Sequence, residues 1–277
     1  MAPMQASRIA DLLAPFLGPS DARRLTPDAL AYISTYIDLL QRWNARVNLT
    51  AIRSEEEIVT RHFGESLFAA RHLFPGEGPK EHGLSRAHSP LEEHRASAPE
   101  GLLKRQDHER PPTPPAAIDQ RRLIANPERS EGTKDAVKVA DVGSGAGFPG
   151  IPIKLWYPKI SLTLVESSHK KATFLREVTR ALTLTDVNIL NTRAESLTNA
   201  SFDVVTLRAV ERFASILPIA AGLVATGGRL ALLIAQSQLS QARSTLPALD
   251  WLAPIPVPQS QSRLLAIATS PTNEVSS

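Results

Sequence analysis

A glycine-rich segment between an apolar run and a helix start is the part of this sequence best suited to chemistry. The run Val137–Val142 has the pattern of a buried strand, and three glycines follow at alternate positions in Gly143–Gly147. Such glycines let the backbone turn tightly and approach a ligand without an intervening Cβ atom. A second apolar strand, Leu162–Val165, ends in Glu166, where a carboxylate can accept hydrogen bonds from ribose hydroxyls. These features predict a site for a nucleotide or nucleoside.

The glycine spacing favours a ligand without phosphate. A dinucleotide fingerprint reads G-x-G-x-x-G, and its third glycine position is occupied here by Phe148, whose bulk would crowd a pyrophosphate. The chain has no G-x-x-x-x-G-K-[ST] sequence, so an NTPase phosphate loop is excluded. Asp141, two residues before the first glycine, and Glu166 suit a cationic nucleoside such as S-adenosylmethionine. The alternative is a glycine-rich turn that binds no ligand.

Strands and helices alternate from residue 137 onward, and this order predicts an α/β fold with a doubly wound, mostly parallel sheet. We expect strands at Val137–Val142, Leu162–Glu166, Val187–Leu190, Phe202–Leu207 and Arg229–Ile234, and helices at Ile151–Tyr157, Lys170–Leu182, Phe213–Val224 and Gln238–Leu246. The last strand-like segments, Trp251–Val257 and Arg263–Ala268, are too close for a helical crossover. They should form an antiparallel pair at one edge of the sheet.

The candidate site residues follow the ends of four different strands. In an open α/β sheet the ligand lies at the carboxyl ends of the strands, so the glycine loop, Glu166, the segment Arg193-Ala194-Glu195 and Arg208 should converge on one crevice. Arg193 and Arg208 are the candidates for catalysis. In the alternative interpretation Glu195 caps a helix and the two arginines are surface charges.

If the ligand is S-adenosylmethionine, the reaction is a methyl transfer, and the residues near Arg208 limit which chemical groups could accept the methyl. Methylation of an exocyclic amine or a glutamine amide typically uses an N-P-P-Y-like tetrapeptide after the fourth strand, whereas this chain reads Leu207-Arg208-Ala209-Val210. Methylation of a pyrimidine C5 atom needs a cysteine nucleophile, and the chain has no cysteine. A ring nitrogen such as guanine N7 has a free lone pair and needs no deprotonation. Arg208 would suit contacts to guanine acceptors and to phosphate.

The regions outside this α/β part differ in composition. We interpret residues 1–75 as a helical extension, in which Thr26-Pro27-Asp28 begins one helix and Ser54 with Glu57 forms a capping box for a second. Residues 76–136 are rich in proline and charge and predict a low-complexity, disordered insertion. Its histidines at 82, 88, 94 and 108 are spaced irregularly, so we predict no metal site. Residues 137–270 form the α/β domain and 271–277 a flexible tail.

Several residues of the helical extension have both a structural and a functional interpretation. Trp43 is most simply a core residue, and Asn48 could end a helix in a left-handed conformation. His62 and Ser66 lie one turn apart and could form a buried polar pair. Four arginines could instead form a basic face for phosphates: Arg42, Arg46, Arg53 and Arg61.

Length and charge set wider bounds. The chain has 277 residues and a net charge of +3, which is compatible with a nucleic-acid substrate without requiring one. It has no run of eighteen apolar residues and no signal-peptide pattern at residues 1–10, so we expect a cytoplasmic protein without membrane contact. The absence of cysteine excludes disulfides, cysteine metal sites and thiol nucleophiles. We expect a monomer.

The motifs together resemble the bacterial small-subunit rRNA methyltransferase G family, also called glucose-inhibited division protein B. The signature is the segment from Asp141 to Pro152, DVGSGAGFPGIP. Further similarity lies upstream in Arg42-Trp43-Asn44, Asn48-Leu49-Thr50, Arg61-His62 and Ser66, and downstream in Lys170-Lys171, Phe174-Leu175-Arg176, Arg193-Ala194-Glu195 and Arg208-Ala209. The resemblance covers roughly residues 25–75 and 137–235.

This resemblance implies a class I methyltransferase (Rossmann-like) fold and methyl transfer from S-adenosylmethionine to N7 of a guanosine in 16S rRNA, free or in the 30S ribosomal subunit. Its cofactor-binding residues would be Gly143, Gly145, Phe148, Glu166, Ala194, Glu195 and Arg208, with Glu166 on the ribose and Arg208 between cofactor and target base. The chain departs from the family pattern at two places. Glu65 replaces an aspartate, and Ile234-Ala235-Gln236 stands where many members have a Lys-Gly pair after the fifth strand. If that lysine grips RNA, this chain must use another cation there.

Two other classes of function remain open from the sequence. The protein could methylate a different RNA, a protein or a small molecule. It could also be a catalytically silent relative that binds RNA. The intact glycines, Glu166 and Arg208 favour an active methyltransferase over a silent one.

Overall fold

The N-terminal part of the chain is helical. A computed structural model describes residues 4–22, 25–75, 136–197, 200–208 and 212–272. Its first helices are α1 (Ala6–Ala22), α2 (Pro27–Asn44), α3 (Glu55–Glu57), a π-helix (Ile58–Gly64) and α4 (Glu65–Leu73). The predicted insertion at 76–136 lies outside the described residues except for residue 136, and the predicted tail at 271–277 does so except for its first two residues.

The start of α2 matches the sequence signal. The Thr26 hydroxyl accepts a hydrogen bond from the amide of Ala29 at 3.2 Å, and Pro27 occupies the first helical position. Ser54 also precedes a helix, but its side chain makes no capping hydrogen bond, so the predicted capping box is wrong. The expected left-handed conformation of Asn48 is wrong as well, because α2 ends at Asn44 and Asn48 has no positive φ.

The rest of the described chain forms an eight-stranded sheet with helices on both faces. The strands are β1 (Lys138–Val142), β2 (Ser161–Val165), β3 (Val187–Leu190), β4 (Phe202–Arg208), β5 (Val224–Ala235), β6 (Asp250–Trp251), β7 (Ile255–Pro256) and β8 (Arg263–Thr269). The helices between them are α5 (Gly150–Trp156), α6 (His169–Ala181), α7 (Phe213–Gly222) and α8 (Leu239–Thr245). Short 3-10 turns lie at Ala194–Ser196 and Gln236–Gln238. The predicted elements are present, with ends shifted by a few residues.

The sheet order is β3-β2-β1-β4-β5-β8-β6, with β7 also paired to β8. The first five of these strands run parallel, and β8 runs antiparallel to β5, β6 and β7. The doubly wound, mostly parallel sheet and its antiparallel edge are therefore confirmed. The expected strand at 251–257 is divided into β6 and β7, which both pair with β8. The chain adds β2 and β3 on one side of β1 and then β4 and β5 on the other, and the glycine loop follows β1 at this switch point, at the carboxyl edge of the sheet.

Two apolar clusters flank the sheet. One joins the N-terminal helices to α5 and α6 through residues such as Phe16, Tyr36, Phe63 and Phe174. The other lies under α7 and α8. All described residues belong to one compact unit, so the N-terminal helices share their core with the sheet. None of the helices in the described ranges is long and apolar enough to cross a membrane.

Candidate functional site

The loop between β1 and α5 turns through three left-handed glycines. Gly143, Gly145 and Gly147 have φ angles of 69°, 57° and 87°, a region that favours glycine. A Cβ atom at Gly147 would collide with the Tyr36 hydroxyl, so this glycine permits the close approach of α2. Among the described residues, a Cβ atom at Gly145 would meet only the Gly143 carbonyl oxygen, at 3.8 Å. The backbone is therefore open to a ligand at Gly145 and covered by protein at Gly147.

Asp141 supports this loop from inside the protein. Its carboxylate accepts hydrogen bonds from the amide of Gly150 at 3.1 Å and from the Thr206 hydroxyl at 2.9 Å. Burial raises the pKa of Asp141 to about 6, although these hydrogen bonds oppose the shift. The residue is 1% exposed, so its carboxylate lies beneath the loop and ties it to β4. The suitability of its charge for a cationic ligand stays a prediction.

Glu166 joins the glycine loop to the end of β2. One carboxylate oxygen accepts a hydrogen bond from the amide of Gly145 at 2.9 Å, and the other accepts one from the amide of Ser168 at 2.7 Å. The amide nitrogen of Asn191, just after β3, donates to the Glu166 carbonyl at 2.9 Å. Each carboxylate oxygen keeps a further lone pair, so Glu166 can still accept hydrogen bonds from ribose hydroxyls. The structure thus brings Gly145 and Glu166 together.

Phe148 turns toward the N-terminal helices. Its ring stacks on Tyr36 at 5.2 Å and on the His62 imidazole at 4.7 Å, and it meets Phe63 edge-on at 5.1 Å. The residue is buried, so its bulk fills the space between loop and helices. The Tyr36 hydroxyl also donates a hydrogen bond to the carbonyl of Ala146. The helices therefore hold the glycine loop by two separate contacts.

Arg208, the last residue of β4, is buried against the π-helix. Its Nη2 atom donates to the Glu65 carboxylate at 3.1 Å and to the carbonyl of Arg61 at 2.5 Å, and Nη1 donates to His62 Nδ1 at 3.0 Å. Its Nε atom is buried without a hydrogen-bond partner among the described residues. Burial lowers the pKa of Arg208 to about 10, and the charge of Glu65 opposes that shift, so the guanidinium stays protonated near neutral pH.

His62 is fixed as a neutral imidazole with a defined tautomer. A guanidinium can only donate, so His62 Nδ1 must accept from Arg208, and His62 Nε2 then carries the proton and donates to Thr50 Oγ1 at 2.8 Å. Burial and the positive charges of Arg208, Arg61 and Arg263 lower the pKa of His62 to about 3. The predicted pairing with Ser66 is present only through the backbone, because the Ser66 hydroxyl donates to the His62 carbonyl at 2.6 Å.

Glu65 also binds a second arginine. Arg263 Nη2 lies 3.0 Å from the same Glu65 oxygen that accepts from Arg208. Arg263 begins β8 and is the register partner of Ala235, the last residue of β5. Arg263 therefore places a positive charge on β8, next to the position at the end of β5 where the family pattern has a lysine.

The segment after β3 is divided between core and surface. Ala194 is buried in the apolar cluster that also contains Val142 and Leu207. Arg193 and Glu195 are exposed, and within the described ranges their side chains make no hydrogen bond or ion pair with the other candidate residues. The structure thus brings Gly145 and Glu166 together and links Arg208 to the glycine loop through His62 and Phe148. It leaves Arg193 and Glu195 apart.

Some supporting residues were not predicted. Asn44 accepts hydrogen bonds from the amides of Leu49 and Thr50 and donates to the Thr50 carbonyl, so it shapes the turn that positions Thr50. Trp43 is partly buried as expected, and its indole N–H donates to Glu177 on α6 at 2.9 Å. An asparagine at a helix end and a tyrosine on an apolar face are common patterns, so only long-range contacts distinguish Asn44 and Tyr36.

Comparisons with known proteins identify the family of this chain. The family model described as rRNA small subunit methyltransferase G matches residues 29–77 and 116–250. A protein of Roseiflexus castenholzii named ribosomal RNA small subunit methyltransferase G is 33% identical over 211 residues, which cover 74% of this chain and 65% of that protein. A protein of the same name from Chloroflexus aggregans is 29% identical over 257 residues, which cover 88% and 83%.

Among solved structures, the ribosomal protein L11 methylase of Lactobacillus delbrueckii subsp. bulgaricus is similar with 19% identity and a TM-score of 0.43, covering 50% of this chain and 73% of that one. The match to the family model covers more of the chain than this structural similarity does. Its two segments comprise well over half of the chain and contain the glycine loop, Glu166 and Arg208. The chain belongs to the rRNA small subunit methyltransferase G family.

Proposed function

We propose that this protein transfers a methyl group from S-adenosylmethionine to N7 of a guanosine in 16S rRNA. The substrate is the free RNA or the 30S subunit, and the enzyme acts in the cytoplasm as a monomer. The observation that carries the proposal is the open backbone at Gly145 beside the Glu166 carboxylate, in a chain of this methyltransferase family.

The cofactor would lie against the carboxyl ends of β1, β2 and β3. Gly143 and Gly145 offer backbone without side chains, and Glu166 offers free lone pairs to the ribose hydroxyls. Ala194 and Glu195 would border the adenosine from the segment after β3. We assign Phe148 an indirect role, because its ring positions the loop from the side of the helices.

The reaction needs little proton chemistry from the protein. The cofactor supplies an electrophilic methyl group on a positively charged sulfur. The guanine N7 lone pair forms the new bond while the carbon–sulfur bond breaks, so the positive charge moves to the purine and no proton is removed. Catalysis then consists of alignment and electrostatics, which suits a site whose histidine is held neutral.

Arg208 is our candidate for holding the target base. Its guanidinium can donate to the guanine O6 acceptor, and its buried Nε–H still lacks an acceptor in the described structure. An unpaired arginine would repel the positive charge that develops on the base. Glu65, 3.1 Å from Arg208, offsets that charge and leaves the hydrogen-bonding capacity intact. Exposed Arg193 suits a contact with RNA phosphate.

Methyl transfer to ribosomal subunits tests the proposal. The full chain is incubated with radiolabelled S-adenosylmethionine and 30S subunits from a strain that lacks the modification, and the labelled nucleotide is mapped. We expect label on N7 of one 16S guanosine. Label on a base amine, on a ribosomal protein or on no subunit component contradicts the proposal.

A binding experiment tests the cofactor separately. Calorimetry should detect S-adenosylmethionine and not NAD or ATP, and Glu166→Gln should weaken cofactor binding because an amide donates where the carboxylate accepts. Glu177→Gln is the matched control, since Glu177 contacts Trp43 at a distance from the glycine loop. Equal affinity in all three proteins would contradict the cofactor assignment.

A further inference from the structure

A concave region adjoins the Arg208–Glu65 pair, and of its lining residues only Glu65 takes part in the function proposed above. It is a cavity of about 310 Å³ between the π-helix and the segment that joins β7 to β8. Its charged lining consists of Arg61, Glu65 and Arg263, and the 258–262 segment adds hydroxyl and amide groups. The size is in the range of small-ligand sites.

The cavity lies at the carboxyl edge of the parallel strands. Arg263 is the register partner of Ala235 at the end of β5, and Arg208 at the end of β4 binds the same carboxylate as Arg263. Ligands of open α/β sheets bind along this edge. A nucleotide strand whose target base reached Arg208 would therefore pass next to the cavity.

The charges around the cavity do not balance. The Glu65 carboxylate is shared by the guanidinium groups of Arg208 and Arg263, Arg61 lines the same cavity, and the neighbouring His62 is neutral. The positive charges of Arg61 and Arg263 oppose the protonation of both Arg208 and His62, so the three arginines act on the same small volume. An excess of positive charge in a concave, partly desolvated site attracts an anion.

Arg61 is exposed, and the Arg263 side chain is 21% exposed, so both can reach a ligand in the cavity. The planar fork of a guanidinium matches the geometry of a phosphate, and hydroxyl and amide groups like those of the 258–262 segment complement a ribose. We propose that the cavity binds a phosphodiester and ribose of the substrate RNA, next to the nucleotide that is methylated. This inference rests on the proposed function and adds an RNA-binding subsite to it.

Charge-removing variants test the subsite. Arg61→Gln and Arg263→Gln are compared with the wild type for retention of unmodified 30S subunits at several KCl concentrations. Loss of one charge-assisted phosphate contact should weaken binding about 10- to 100-fold. It should also reduce the slope of log affinity against log salt by about 0.7 to 0.9. The affinity for S-adenosylmethionine, measured by calorimetry, should remain unchanged in Arg61→Gln.

Arg243→Gln is the matched control, because Arg243 is exposed on α8 outside the cavity. Arg263 binds Glu65, so thermal unfolding of each variant is measured, and Arg61→Gln provides a test that does not break this ion pair. Normal RNA binding by both cavity variants, or an equal loss in Arg243→Gln, overturns the subsite while wild-type methylation of rRNA still supports the enzyme's function. Failure of the wild type to methylate rRNA overturns the proposed function itself.

Discussion

At the scale of single residues, two glycines of the glycine loop have different surroundings: one packs against protein and the other is open to a ligand. Gly147 touches Tyr36, whereas Gly145 faces open space beside Glu166. Both have positive φ, so an alanine at either position carries backbone strain of roughly 1–2 kcal/mol. The two positions therefore form a natural pair for distinguishing the stability of the loop from its binding function.

We predict that Gly147→Ala destabilises the protein more than Gly145→Ala. The new methyl group at 147 must displace the Tyr36 hydroxyl, while the one at 145 meets little protein and occupies the ligand side of the loop. Gly145→Ala should thus lose most of its cofactor affinity with a loss of unfolding free energy of only about 1–2 kcal/mol. Urea denaturation and calorimetry measure the two quantities, and the reverse order of either effect would contradict the assignment of Gly145 to the cofactor.

The Glu65 carboxylate provides a second residue-scale prediction. Glu65→Gln keeps the shape but removes the negative charge that offsets Arg208 and Arg263. We expect the rate of methyl transfer with saturating substrates to fall by at least about 10-fold, since a charged hydrogen bond is worth about 1.5–3 kcal/mol. The affinity for S-adenosylmethionine should change little. Glu57→Gln, on the exposed start of the same helical segment, is the control.

The neutral state of His62 predicts a pH effect on stability. Its pKa is about 3 in the folded protein and near 6.5 in the unfolded chain, so the unfolded state binds more protons between these values. Acidification below pH 6.5 therefore lowers the unfolding free energy through His62. Asp141 has the opposite effect, because its pKa is raised from 3.8 to about 6 and the folded state takes up the proton first.

The His62→Gln variant isolates the first of these contributions. Between pH 7 and pH 5 its unfolding free energy should decrease less than that of the wild type, because only the wild type must keep a buried imidazole uncharged. Urea denaturation at both pH values measures the difference within each protein. An identical decrease would show that His62 titrates normally in the folded state.

At the scale of elements, the sequence predicted most of the strands and helices but not the way in which the N-terminal helices reach the site. The run Val187–Leu190 was predicted to the residue, because the β-branched residues Val187 and Ile189 alternate with polar Asn188, as in a half-buried strand. The π-helix at Ile58–Gly64 was not, since a sequence of this type also fits a regular α-helix. Its residues Arg61 and His62 accept hydrogen bonds from Arg208, and such long-range contacts have no local signature.

Tyr36 on α2 supports the glycine loop between β1 and α5. Tyr36→Phe removes the hydroxyl that donates to the Ala146 carbonyl and leaves that buried acceptor unsatisfied. We expect a loss of about 1–3 kcal/mol in unfolding free energy, together with weaker cofactor binding. Tyr32→Phe, on the same helix but partly exposed, should have a smaller effect. Denaturation and calorimetry on both variants check the difference, and equal losses would contradict this role of α2.

At the scale of the whole molecule, the sequence established the fold class, and the order and direction of the strands confirm it. The sequence features that predicted the site were local ones. They were the spacing of the glycines, Glu166 at the end of one strand and Arg208 at the end of another. The orientation of Arg208 toward Glu65 and the inward packing of Phe148 depend on residues more than 100 positions away. Pattern analysis cannot supply such pairings, and it therefore did not predict that Asp141 is buried and hydrogen-bonded to Thr206.

The shared core predicts a single unfolding transition. Trp43 lies in the N-terminal helices and Trp156 in α5, and both belong to or pack against the same apolar cluster. Tryptophan fluorescence from variants that lack Trp251 and retain only one of these two residues should give denaturation curves with the same midpoint. Separate midpoints would show that the helices and the sheet unfold independently.

The position of Phe148 between two aromatic rings has a consequence for how the affinities of two ligands depend on each other. The ring lies between Tyr36 on one side and His62 on the other, and His62 in turn contacts the arginine at the end of β4. A ligand that adjusts either end of this chain of contacts changes the free energy of the other end. Such linkage is reciprocal, so if the methyl donor increases the affinity for RNA, then RNA must increase the affinity for the donor by the same factor.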